Sequence, residues 1–155
     1  MEPQEFQSRI AEITASIAGR PLDQELEDFL NHTFPADGET FRTIETACHQ
    51  AIESGWMCDR EHGGIRFGRV IKPTEASHDF SVDVVQMDDV AGPHHRHPRG
   101  EIDMIMPITA GARFDGRGAG WLVYGPDSAH SPTVSDGNAL VLYLLPNGEI
   151  EFTRR

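Results

Sequence analysis

The sequence predicts a mainly β protein: a small antiparallel barrel or jelly roll behind an N-terminal helical segment. Apolar residues recur at helical spacing through the first third of the chain and at a spacing of two after Gly55. About eight short apolar runs follow, each bounded by Gly, Pro, Asp or Asn, as strands joined by tight turns require. Fifteen glycines and ten prolines among 155 residues supply those turns. The expected division is a helical segment over residues 1–57 and a barrel over 58–155.

The first helix is marked by Phe6, Ile10, Ile13 and Ile17, whose spacings of four, three and four make one apolar stripe. Gly19 and Pro21 end it. Asp23 can cap a second helix that buries Leu22, Leu26, Phe29 and Leu30. The stretch FPADGE breaks the pattern, and a third helix carries Phe41, Ile44, Cys48 and Ile52 until Gly55 stops it. These helices are expected outside the barrel or at a dimer interface. In GGIRFGRVI, Ile65, Phe67, Arg69 and Ile71 alternate with Arg66, Gly68 and Val70. In HDFSVDVVQM, Phe80, Val82 and Val84 alternate with Ser81 and Asp83. Further strands are expected at EIDMIMPI, GARF, GWLVYG, SPTV, ALVLYLL and EIEF.

A chain of this length can bury roughly 70% of its unfolded surface, so it needs no disulfide or metal to hold a core. The net charge is −12 and Lys72 is the only lysine beside twelve arginines. Such a surface repels phosphate, which argues against nucleic acid and anionic membranes as partners. No apolar run approaches the roughly 20 residues of a membrane span. The polar start MEPQEFQSRI does not read as a signal peptide, and Cys48 and Cys58 are too few for a disulfide framework. The expectation is a soluble cytoplasmic protein with reduced thiols.

The chemistry concentrates in GPHHRHPRGEID, residues 92–103. Side chains two apart on a strand share a face, with Cα atoms about 6.5–7 Å apart. Two imidazoles so placed can converge on one ion at about 2.1 Å each. His95 and His97 meet this condition, while His94 points to the opposite face. The turn at residues 98–100 can return Glu101 beside them as an oxygen ligand, and His130 in GPDSAH is the candidate fourth. The alternative is a hydrogen-bonded cluster of polar side chains without an ion. His32, His49, His62 and His78 lack ligand spacing. A mixed imidazole and carboxylate set suits Fe(II), Mn(II), Ni(II) or Zn(II), and excludes a thiolate-requiring site.

HHRHPRGE resembles the first motif of the cupin family, two histidines one residue apart followed by a glutamate. YGPDSAHSPTV resembles the second, which normally reads Pro-x-Gly-x-x-His; Gly125 stands at its proline, Asp127 at its glycine, and the usual later asparagine is missing. The resemblance implies a cupin barrel over roughly residues 60–153 with His95, His97, Glu101 and His130 as metal ligands. The run from Gly100 to Phe152, behind a helical segment, is similar to the small 4-hydroxylaminobenzoate lyase family of bacterial 4-nitrobenzoate breakdown. That resemblance implies a metal-dependent lyase giving 3,4-dihydroxybenzoate and ammonia from a small aromatic substrate. The cupin resemblance also implies a homodimer. Because the net change adds water and loses ammonia, neither nicotinamide nor flavin is needed, in keeping with the absence of a dinucleotide fingerprint. The other readings are a cupin dioxygenase or isomerase acting on another small aromatic or organic acid, and a non-enzymatic protein holding a small ligand.

Glu101 is a candidate ligand or general base. Asp103 shares its strand face and is a candidate catalytic residue, as an acceptor for a ligating imidazole; the alternative is a carboxylate at a subunit boundary. Ile102, Met104, Met106 and Ile108 face the other way, and the methionines read as packing. One of Arg99, Arg113 and Arg117 could anchor a benzoate-type carboxylate, unless each faces solvent. Trp121, Tyr124 and Tyr143 could line the barrel or fill its core. Cys58 is a loop thiol with no assigned chemistry. GARFDGRGAG lacks the lysine of a phosphate loop and reads as a hairpin loop.

Overall fold

A computed structural model describes residues 1–153. Its three helices form where the apolar spacing puts them: α1 (Pro3–Ile17), α2 (Gln24–Thr33) and α3 (Glu39–Ser54). Pro3 opens α1, where its missing N–H leaves nothing unpaired. Asp23 caps α2, its carboxylate accepting from the Leu26 N–H at 3.0 Å. Gly55 ends α3 in the left-handed region, with φ 89°. Among the described residues no helix is long and apolar enough to cross a membrane.

The strands are β1 (Arg60–His62), β2 (Ile65–Ile71), β3 (Phe80–Ala91), β4 (His95–His97), β5 (Glu101–Pro107), β6 (Arg113–Phe114), β7 (Gly120–Tyr124), β8 (Ser128–His130), β9 (Thr133–Pro146) and β10 (Glu151–Phe152). The large sheet runs β1-β2-β3-β9-β5-β7 with β6 on β9; the small one runs β10-β4-β8. All pairings are antiparallel. This is the mainly β, cupin-like jelly roll that the sequence predicts. The last two residues of the expected barrel segment, 154–155, lie outside the described residues.

The large sheet is covered on both faces. Val82, Val84, Ile102, Met104, Met106, Leu140, Leu142 and Leu144 face the helices. There they pack with Phe6, Ile10, Ile13, Ile17, Leu26, Leu30, Phe41 and Ile44. The alternate residues Met87, Ile105, Leu122, Ala139, Val141, Tyr143 and Leu145 face the interior between the sheets. Double burial explains why ALVLYLL reads as an unbroken apolar run rather than an alternating one. It also settles the aromatic residues. Trp121 does not line the barrel: its ring meets Phe41 edge-on at 6.1 Å and its indole N–H donates to the Phe34 carbonyl at 2.9 Å. Tyr124 and Tyr143 are on the interior side.

Four strand readings need correction. SPTV and ALVLYLL are one strand, β9, because the intervening Asp136 and Gly137 take left-handed backbone inside the ladder instead of ending it. Gly137 is required there: a Cβ would lie 2.6 Å from Thr109 Cβ. The partner strand β3 accommodates the irregularity with Asp89, also left-handed, and so runs to Ala91, beyond the expected end. β1 was not foreseen, since REH has no apolar face to show a period. β8 is a separate three-residue strand just ahead of SPTV, where no strand is expected.

Glu27 ties the helices to the sheet. It is 4% exposed, accepts from the Val123 N–H at 2.9 Å and from Arg117 and Gln24 at 2.8 and 2.9 Å. Burial pushes its pKa up, but these donors outweigh it and hold the carboxyl below its usual value. A carboxyl lowered in the fold stabilises the protein above its unfolded pKa, and that contribution is lost as pH falls through the folded one. Glu27→Ala should lower stability by roughly 1–3 kcal/mol, the cost of an orphaned buried N–H. Glu27→Gln should retain the Val123 bond and flatten the acid limb of the stability–pH curve, both read by urea unfolding at pH 3 to 7.

Candidate metal centre

Strand register builds the site. β4 and β8 pair with His95 opposite His130 and His97 opposite Ser128. Directly opposed residues share a face, so all three imidazoles project to one side of the small sheet. Glu101 opens β5 in the large sheet, and the turn between the sheets passes through Gly100 at φ 91°. A Cβ at Gly100 would lie 2.6 Å from the Tyr124 carbonyl oxygen, so only glycine permits the turn. The carboxylate thus reaches the imidazoles across the interior.

The Nε2 atoms converge. His95 Nε2 lies 3.1 Å from His130 Nε2 and 3.7 Å from Glu101 Oε1. His97 Nε2 and His130 Nε2 lie 3.3 and 3.6 Å from Glu101 Oε2. One potential ligand atom from each residue falls within 4.8 Å of all the others. Two ligands each about 2.1 Å from one ion lie about 3.0 Å apart at a right angle and about 3.4 Å apart at a tetrahedral angle. The observed spacings match an ion's coordination shell. His97 Nε2 and both Glu101 oxygens are buried and have no hydrogen-bond partner. Such orphaned groups are expensive in a dry interior, and a cation would satisfy them together.

Hydrogen bonds at the outer nitrogens leave the inner ones able to present lone pairs once the rings are neutral. The Ser128 hydroxyl donates to the Gly125 carbonyl at 2.6 Å, so it accepts from His97 Nδ1–H at 2.9 Å. The His95 Nδ1–H faces the Pro93 carbonyl at 3.3 Å. The His130 Nδ1–H donates to Asp115 Oδ2 at 2.6 Å. In the neutral rings each protonated Nδ1 leaves Nε2 free for a metal. Asp115 also accepts from the Tyr124 hydroxyl at 2.6 Å and the Thr133 N–H at 2.9 Å. Burial pushes the Asp115 pKa up, but these donors, His130 foremost, hold it below its usual value.

Glu101 and Asp103 are both fully buried and titrate in opposite directions. Burial alone would raise both. The three imidazoles hold Glu101 ionised, well below the carboxylate range. Burial, together with the charge on Glu101, drives Asp103 well above it. Asp103 is therefore the neutral member of the pair. Neither of its oxygens has a hydrogen-bond partner, so it is not the imidazole acceptor expected from the sequence. Asp115 fills that place for His130.

The three candidate arginines point elsewhere. Arg99 pairs with Glu149, Arg113 donates to the Gly116 carbonyl at 3.2 Å, and Arg117 pairs with Glu27. His94 turns away from the set and bonds Thr153. Cys58 is buried, donating to the Val84 carbonyl at 3.4 Å, and burial raises its pKa to about 11.

Comparison with known proteins places the chain in a family. The sequence profile of the 4-hydroxylaminobenzoate lyase family (PnbB) matches residues 8–152. The chain belongs to that family. Two curated 4-hydroxylaminobenzoate lyases are similar along most of their length. The Pseudomonas putida protein is 30% identical, over 89% of this chain and 88% of its own. That of Nocardioides sp. (strain LMS-CY) is 31% identical, over 88% and 86%. Among solved structures, KdgF from Halomonas sp. overlaps 61% of this chain and 84% of its own at 18% identity, with a TM-score of 0.41.

In this lyase-family protein the residue that sequence reading missed is Asp115. It sits in GARFDGRGAG, which resembles a plain hairpin loop. Its left-handed backbone, φ 49°, is the turn signal, and nothing local reveals that the loop folds over His130. Asp115→Asn should weaken metal binding about 10- to 100-fold. Asp103→Asn, replacing a neutral group, should leave it within about threefold; titration of a chromophoric chelator reads both. In the metal-free protein, Glu101 and Asp115 outweigh burial and hold His130 protonated up to about pH 9. An ion needs its neutral form. Affinity should therefore rise with pH up to about 9. Uptake at neutral pH should release a proton, measurable in weakly buffered solution.

Proposed function

We propose that this protein is a metal-dependent lyase converting 4-hydroxylaminobenzoate, with one water, to 3,4-dihydroxybenzoate and ammonia. The observation that carries the reading is the buried set His95, His97, Glu101 and His130, whose inner atoms are spaced as ligands and lack other partners. Family membership supports the lyase class. The ligand set suits Fe(II), Mn(II), Ni(II) or Zn(II).

The reaction balances without a redox cofactor. The N–O, aryl C–N and one aryl C–H bond break, two aryl C–O bonds form, and the nitrogen is reduced to ammonia as the ring is oxidised. A divalent ion would supply Lewis-acid polarisation of the hydroxylamino oxygen. The chain supplies orientation and protons. Asp115, Ser128 and the Pro93 carbonyl keep the three rings from rotating. Asp103 holds a proton at its carboxyl beside ionised Glu101, and the leaving nitrogen needs protons. The apolar walls built by Phe114, Leu122 and Val141 limit water around these groups.

Metal-loaded protein should release one ammonia per 3,4-dihydroxybenzoate, at the same rate with and without oxygen. A chelator should abolish turnover, and a divalent ion should restore it. Oxygen consumed in step with product would point instead to a dioxygenase. Fully loaded protein that releases no ammonia would overturn the lyase assignment. His95→Ala with His97→Ala should lose the bound metal by elemental analysis.

A further inference from the structure

Phe152 is one of two large apolar side chains that stand exposed among the described residues, at 67%. Its strand, β10, pairs with β4 so that Phe152 lies opposite His95. Opposed residues share a face, so the ring projects to the side that carries the ligand set. The Phe152 and His95 rings meet at 5.8 Å, nearly perpendicular at 73°. The chain on either side is held: Glu151 stands opposite Arg96 in the β10–β4 ladder, their side chains paired at 2.6 Å, and the Thr153 N–H donates to the His94 carbonyl at 3.0 Å. The ring is thus placed, yet uncovered. Solvent also reaches the site at His130, whose side chain is 12% exposed while those of His97 and Glu101 are sealed.

An aromatic side chain that stands free at the rim of a buried polar centre has an unused face, and offset or edge contact with another ring is its favoured partner. We propose that Phe152 is the aromatic wall of the substrate site, packing against the benzenoid ring while the 4-substituent enters the ligand set. The proposal deepens the lyase reading by assigning ring recognition to one residue, and rests on that reading for the identity of the ring.

The test separates ring binding from turnover. 4-Aminobenzoate keeps the ring and carboxylate but lacks the N–O bond, so it reports binding alone. In calorimetric titration of metal-loaded protein, Phe152→Ala should bind it about 3- to 10-fold more weakly than wild type. Phe152→Tyr should bind it nearly as well as wild type, with metal content unchanged in both. With 4-hydroxylaminobenzoate, Phe152→Ala should raise KM by a similar factor and change kcat less than about twofold. Equal affinity in wild type and Phe152→Ala, or no binding of the probe to wild type, would overturn the proposal. So would a change of oligomeric state in Phe152→Ala at unaltered affinity, which would make Phe152 a subunit contact. Binding that follows this pattern without ammonia release would keep the aromatic wall and remove the lyase assignment.

Discussion

The antiparallel pairing of β4 with β8 is the constraint from which the site follows. Two strands of three residues each set His95 against His130, and His97 two residues on, so three rings share one face. A slip of one residue would send the histidines of one strand to the opposite face. Short strands do not specify such a register alone. Here the Asp127 N–H bond to the His97 carbonyl and the β10 pairing on the other side of β4 reinforce it.

Glu101 shows what the arrangement demands of the rest of the protein. An ionised carboxylate with no hydrogen-bond partner is costly to bury, and it stays ionised because three imidazoles surround it. The same charge keeps Asp103 neutral. Two carboxyls two residues apart on a strand therefore take different states, by position: Glu101 faces the imidazoles, while Asp103 lies beside the charges of Glu101 and Asp115 without a cation of its own. This division of protonation states is what acid–base chemistry at a single site requires.

The helices serve the site indirectly. They cover the outer face of the large sheet, so the strand that carries Glu101 and Asp103 is packed from both sides. Ile102, Met104 and Met106 lie under the helices while Glu101, Asp103 and Ile105 look inward. A strand held so can keep a carboxylate aimed at a small target with little motion. The Glu27 bonds to Val123 and Arg117 add a polar tie between α2 and the β7 region.

Much of this was legible in the linear chain. The apolar stripes marked the three helices, the change to a period of two marked the sheets, and His-x-His with a following glutamate marked three of the four residues of the candidate metal set. Those signals are local, because side-chain direction follows from backbone period. Other features depend on long-range pairing. Asp115 reaches His130 only because its loop folds over β8. The arginines near the motif in sequence turned to Glu149, Gly116 and Glu27. SPTV and ALVLYLL joined because a left-handed Asp-Gly pair was absorbed within a ladder rather than forming a turn. Composition and period determined the three helices and most of the strands, but not β1 or β8, which carry no apolar period. Only the tertiary structure decided which polar groups meet, because that depends on strand register and on how far each charge is removed from water.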